Sequence, residues 1–208
     1  MKIAYYGYRE WSFKIFKKIK SKNKILITSN NYDFLESYKP DVVFFVGWSD
    51  LIPESIINKF ECLCIHPSKL PEYRGGSPIQ NQIIDGVVDS AVTLFKMDDK
   101  IDHGPIYKQL TLNLNGTLDQ IFFDMVDRSV RMIDEYVEGK LYPIEQNHNK
   151  ATFCKRRKPE MSEITLDEIQ NSTAKQLSDK IRSLQDPYPN PYIKCKNGEK
   201  LYLIKAKY

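Results

Sequence analysis

Three places in this chain combine residue types that could do chemistry: Gly47-Trp48, His66-Pro67 and the stretch Asp98 to His103. Each follows an apolar run. An apolar strand ending on histidine and proline delivers an imidazole to the rim of a sheet. Imidazole titrates at about pH 6.5, so there it could exchange protons with a bound substrate near neutrality. Side chains alternate along a strand, which puts Cys62, Cys64 and His66 on one face and Cys64 beside the ring. Asp102 could orient or charge-balance that ring. Taken alone, it reads equally as a turn residue in Asp-x-Gly before Gly104. A lone histidine at a strand end is more often satisfied by its neighbours than catalytic. The next segment, Pro67-Ser-Lys-Leu-Pro-Glu-Tyr-Arg-Gly-Gly-Ser-Pro78, shifts that balance. It is too long and too rich in Pro and Gly for a plain connector, and Pro78 opens a helix whose free N–H groups favour an anion.

For these ends to meet, the chain must build an open sheet. Ile3 to Tyr6, Ile25 to Thr28, Val42 to Val46, Cys62 to His66 and Ala91 to Met97 read as strands. Val42 to Val46 is wholly apolar, as for a strand buried on both faces. Amphipathic stretches alternate with them: Trp11 to Ile19, and a short helix from Pro53 through Phe60 with proline in the first turn. This rhythm predicts an α/β fold, a doubly wound, Rossmann-like, mostly parallel sheet with helices on both faces. In such sheets ligands sit at the carboxyl ends of the strands. An apolar stripe from Leu118 to Val137 predicts a long helix packed on the sheet. A polar connection follows, Asn147 to Pro159. A helix of roughly Thr173 to Leu184 is expected behind Asn171 and Ser172 as caps. Asn197-Gly198 between short alternating runs predicts a β-hairpin. Residues 1–150 therefore read as the catalytic domain and 151–208 as a short C-terminal extension with helix and hairpin.

Hydrophobic residues at 41% exclude a disordered chain. The longest apolar stretches fall far short of the roughly 20 residues of a spanning helix. No signal peptide precedes the first strand, so a cytoplasmic protein is expected. The four cysteines, Cys62, Cys64, Cys154 and Cys195, include no CxxC pair, so reduced thiols and no metal are expected. The lysines between Lys14 and Lys24 fall at helical spacing and read as a solvated face, not a nucleic-acid surface. A net charge of +4 still suits an anionic small substrate.

The run His66-Pro-Ser-Lys-Leu-Pro-Glu-Tyr-Arg-Gly-Gly-Ser-Pro-Ile79 resembles the signature of the folate-dependent formyltransferases. Met97-Asp-Asp-Lys-Ile-Asp-His-Gly-Pro-Ile106 resembles that family's second motif, in the expected order. Lys155-Arg-Arg-Lys-Pro-Glu-Met-Ser-Glu-Ile164 and Asp186-Pro-Tyr-Pro189 are weaker matches. The resemblance implies that His66 and Asp102 are catalytic and that 10-formyl-tetrahydrofolate is the formyl donor, with no metal. It places the folate along Phe45, Gly47, Trp48, Ile52 and Pro53 and along Asp98 and Asp99. Trp48 and Ile52 read equally as ordinary core. The family normally carries asparagine where this chain has Cys64, and a thiol is a weak donor to an oxyanion. Cys64 reads otherwise as a small hydrophobe on a buried strand.

Within the family, a methionyl-tRNA enzyme would carry a further barrel domain, whereas the Asp186-Pro-Tyr-Pro segment is similar to sugar N-formyltransferases. The expected acceptor is thus a UDP- or dTDP-linked 4-amino-4,6-dideoxyhexose. Its candidate contacts are Ser68, Lys69, Tyr73, Arg74, Gly75, Gly76, Ser77 and Tyr188, with Arg74 reading equally as a surface partner of Glu72. Neither nucleic acid nor membrane is expected as a partner. A homodimer is expected by analogy, since sugar N-formyltransferases are often dimers. Two alternatives share the pattern: a formyl-tetrahydrofolate hydrolase, and a non-catalytic binding protein motivated by Cys64.

Overall fold

The structure, a computed structural model, describes residues 1–207. Six strands form the central sheet: β1 (Ile3–Tyr6), β2 (Lys24–Ile27), β3 (Val42–Val46), β4 (Cys62–His66), β6 (Asp89–Lys96) and β7 (Ile106–Asn113), in the order β2-β1-β3-β4-β6-β7. The first four pair in parallel, whereas β6 and β7 add antiparallel. β7 was not expected from the sequence. Its side chains are mostly half-buried, as on an edge strand, so no continuous apolar run marks it.

The sheet is covered on both faces. One face packs on α1 (Glu10–Lys18), α4 (Pro78–Ile84) and α5 (Leu118–Val137), around Tyr5, Phe44, Val46, Leu63 and Ile65. The other carries α2 (Phe34–Tyr38) and α3 (Glu54–Lys59) over Ala4, Tyr6, Val43, Phe45 and Cys62. The doubly wound α/β expectation is met. α5 starts with a reciprocal capping box: Thr117 N–H donates to Gln120 Oε1 at 2.9 Å and Gln120 N–H to Thr117 Oγ1 at 3.3 Å. Pro53 is the N-cap of α3 rather than its first helical residue.

Beyond residue 150, a two-residue strand β8 (Phe153–Cys154) pairs in parallel with β5 (Arg74–Gly75), inside the glycine-rich loop. Of the expected caps of the next helix, Asn171 is the last residue of α6 (Leu166–Asn171) and Ser172 its C-cap. The cap of α7 (Ala174–Ser183) is instead Thr173, in a second capping box with Gln176. α7 packs on α4. The expected hairpin is present as β9 (Tyr192–Lys194) and β10 (Lys200–Tyr202). No helix among the described residues is long and apolar enough to cross a membrane.

Candidate active site

A cavity of about 460 Å³ runs along the carboxyl edge of the parallel strands. It straddles the sheet. On one side Trp48, Ile52 and Met97 extend the core that holds Tyr6 and Phe45. On the other, Trp11, Phe122 and Tyr188 continue the core around Val46 and Ile65. Rings organise both sides. Trp48 packs edge-on against Tyr6 and Tyr8, and its Nε1 donates to Tyr32 Oη at 3.2 Å. Phe122 lies between Trp11 and Tyr188, at ring separations of 5.9 and 6.2 Å. Gly47, at φ +65°, separates the sides: a Cβ there would lie 2.9 Å from the Trp11 ring.

His66 and Asp102 meet at the centre. The imidazole is 5% exposed, and its Nε2 donates to the Tyr73 carbonyl at 2.9 Å. A carbonyl only accepts, so Nε2 holds a proton and the neutral ring carries its lone pair on Nδ1. Nδ1 stands 3.4 Å from Asp102 Oδ2. The Nδ1 lone pair and the carboxylate thus face each other, and a proton taken up at Nδ1 would be held between them. Asp102 Oδ2 also accepts from Gly75 N–H at 2.7 Å, tying the second motif to the first. Cys64 shares the face of His66 and lines the cavity. Burial, and then the charge of Asp102, push its thiol well above the usual value, so near neutrality it is an S–H group and not a thiolate.

Backbone strain is concentrated here. Four non-glycine residues among those described have left-handed backbone, and Tyr73 (φ +55°), Ser77 (φ +54°) and Asp102 (φ +48°) frame the site. Such residues cost about 1–3 kcal/mol each and persist where surrounding structure over-determines them. Gly76 has a different reason to be glycine. A Cβ there would lie 2.6 Å from Arg156 Cα, because the backbone that follows β8 presses against the loop. Gly76→Ala is expected to cost about 1–3 kcal/mol by overpacking. Thermal melting would show it as a fall of roughly 2–4 °C per kcal/mol; an unchanged melting temperature would refute the close packing.

The residues singled out in the sequence divide by position. Phe45, Gly47, Trp48, Ile52, Asp98 and Asp99 line the cavity, as do Gly75, Gly76, Ser77 and Tyr188. Pro53, Ser68, Lys69, Tyr73 and Arg74 lie outside its lining. Ser68 is fully buried and donates to the Glu72 carbonyl at 2.6 Å. Lys69 is exposed to solvent. Tyr73 turns its hydroxyl to Asp85, at 3.0 Å, and burial with that carboxylate pushes the phenol up to about 12. Arg74 is neither a surface partner of Glu72 nor a cavity residue: it is 3% exposed and donates to Gln146 and His148. His103 turns to Asp98, with Nδ1 2.6 Å from Oδ2.

Sequence reading missed Arg9, Trp11, Gln80, Phe122 and Arg156 in the lining. The rule that ligands gather at strand carboxyl ends applies equally to the loop after the first strand, and would have found Arg9 and Trp11.

The chain matches the formyl transferase family model over residues 9–120. It is 32% identical over 184 residues to the methionyl-tRNA formyltransferase of Syntrophomonas wolfei, an alignment covering 83% of this chain and 56% of that protein. The solved methionyl-tRNA formyltransferase from Clostridium thermocellum is 31% identical with TM-score 0.84, covering 97% of this chain and 96% of that one. A 4-N formyltransferase from Francisella tularensis, 22% identical, shares the fold at TM-score 0.78 over 100% of this chain and 98% of its own. The chain spans 42 to 60% of the length of the curated relatives it matches. With the signature loop, the His66–Asp102 pair and the family match in agreement, the chain belongs to the formyl transferase family.

Proposed function

We propose that this protein transfers a formyl group from 10-formyl-tetrahydrofolate to the primary amine of a nucleotide-linked amino sugar, a UDP- or dTDP-4-amino-4,6-dideoxyhexose. The observation that carries the acceptor class is a pair of guanidiniums. Arg9 and Arg156 line the same cavity as His66 and Asp102, and neither forms an ion pair among the described residues. Arg9 lies over the Tyr8 ring and Arg156 donates to the Ser49 carbonyl at 3.3 Å, so both keep a charge that no carboxylate offsets, which suits a diphosphate. The apolar walls of Trp48, Ile52 and Met97, with exposed Leu51 and Ile101 at the mouth, suit the flat ring of the folate. The opposite side is then left for the acceptor.

The formyl donor supplies an electrophilic carbonyl carbon. As the amine attacks, a proton must leave its nitrogen, and Nδ1 of His66 with Asp102 forms the acceptor pair. The resulting imidazolium is stabilised by the carboxylate 3.4 Å away and can return the proton to the departing nitrogen. The fixed Nε2–H bond to Tyr73 keeps the ring from rotating during this cycle.

A second reading, methionyl-tRNA as the acceptor, is favoured by the names of the relatives at 31 and 32% identity. The test measures tetrahydrofolate release from 10-formyl-tetrahydrofolate with each amino sugar, with methionyl-tRNA, and with no amine. Turnover that requires a sugar is expected. Turnover only with methionyl-tRNA would transfer the assignment to the second reading. Release without any amine would make the protein a hydrolase, and binding without turnover would overturn catalysis altogether.

A further inference from the structure

Asp102 is held by a residue outside every motif. The segment after α5 returns across the Asp98–Gly104 loop, with Ile144 and Ile106 exchanging backbone hydrogen bonds at 2.8 Å. Two residues on, Gln146 is 6% exposed. Its Nε2 donates to the carbonyls of Asp102, at 3.0 Å, and Gly104, at 2.6 Å. Its Oε1 accepts from Arg74 Nη2 at 2.7 Å. Two carbonyls only accept and a guanidinium only donates, so the site requires two donor hydrogens and an acceptor on one flat group. Of the ordinary side chains of this length, an amide meets that demand and a carboxylate does not.

The same strap is braced on its far side. Arg74 Nη2 donates to His148 Nδ1 at 2.9 Å, and the His148 ring stacks on His103 at 3.9 Å with an interplanar angle of 0°. His103 in turn pairs with Asp98. Arg74, which belongs to the signature loop, thus reaches behind the cavity to the strap that holds the second motif.

We propose that Gln146 is a positioning residue: by bonding the Asp102 and Gly104 carbonyls while anchored on Arg74, it holds the left-handed turn that aims the Asp102 carboxylate at His66. Its geometry stands independently of the substrate, but its assay by turnover rests on the formyl-transfer reading. A misplacement of the order of 1 Å at a catalytic group can cost about a hundredfold in rate. The charged and titratable groups around Asp102 are His66, Arg74, Cys64 and Cys154. The carboxylate faces the His66 ring at 3.4 Å, so loosening Asp102 changes the surroundings of that ring.

The chain has three histidines, which makes the His66 ring C–H signals readable by NMR at a fixed pH. The isosteric Gln146→Glu removes both donors and sets acceptors against the two carbonyls. It is expected to move the His66 ring signals, and to cut kcat at least tenfold with the KM for the formyl donor within about twofold. Adding Asp102→Asn to Gln146→Glu should then reduce kcat by much less than it does in the parent, because the two act on one interaction. Gln146→Ala serves the same NMR comparison if Gln146→Glu does not fold. Unmoved His66 ring signals in a folded variant would overturn the proposal. If the parent shows no formyl transfer, the NMR comparison still decides the positioning role, so the two failures are distinguishable.

Discussion

Alanine at position 66 is expected to reduce formyl transfer by roughly a hundred- to ten-thousandfold, the usual contribution of a positioned acid–base group. The substitution also leaves the Tyr73 carbonyl without the bond it receives from Nε2. The Cys154 thiol remains as a weak donor to that carbonyl at 3.6 Å, so the loss should stay below the roughly 1–3 kcal/mol of a fully unpaired acceptor, and the variant should fold with a modestly lowered melting temperature. Asp102→Asn separates chemistry from structure more cleanly. One oxygen, Oδ2, serves both Gly75 N–H and the His66 ring, so an asparagine can satisfy only one of them: an amide oxygen there accepts from Gly75, an amide N–H there donates to Nδ1. In either orientation the charge that stabilises the imidazolium is gone. Single-turnover rates at saturating formyl donor should fall by about a hundredfold or more, with donor affinity within a few-fold of the parent. If either variant keeps more than a tenth of the parent rate, the pair does not carry the proton.

The parts of the fold that the sequence made legible are those built from short-range patterns. Apolar runs ended at Gly47 and His66 because the strands carrying them are buried on both faces. The 20-residue α5 announced itself by one apolar stripe. What stayed hidden depends on contacts between distant segments. β5 and β8 are two residues each and exist only because residues 74–75 and 153–154 meet. Likewise Arg74 looked like a substrate ligand beside His66, since nothing local shows that its guanidinium turns inward to Gln146, 72 positions away. The two sequence motifs lie within single loops and can be read locally; the groups that hold them come from the other half of the chain. Asp102 shows the same division. Its turn was legible from Asp-x-Gly, but the bond from Gly75 N–H joins two loops that only the folded sheet brings together.

Cys64→Asn is expected to raise turnover by about tenfold or more, and the reason lies in what surrounds the thiol. Cys64 sits on β4 between Phe45 and Phe95 on the neighbouring strands, facing the cavity beside His66. Its thiol stays protonated near neutrality because burial and the Asp102 charge both oppose the thiolate. It therefore contributes one weak S–H donor to any negative charge that develops at the formyl oxygen, where the family's usual asparagine offers amide N–H groups. Losing one good oxyanion donor costs other enzymes about a hundred- to a thousandfold, so restoring one should recover part of that. The gain should fall on kcat, because a developing oxyanion exists only in the transition state and ground-state binding is untouched. An added amide also has to be paired on a half-buried wall, and an unpaired one costs about 1–3 kcal/mol. A second amide hydrogen near Asp102 would supply that pairing, so the melting temperature should move by only a few degrees. Measured side by side, a higher kcat at unchanged KM would show that the natural site works with a weakened oxyanion donor. An equal or lower kcat in a folded Cys64→Asn protein would show instead that another group already serves the oxyanion, and that the thiol is there to pack the strand.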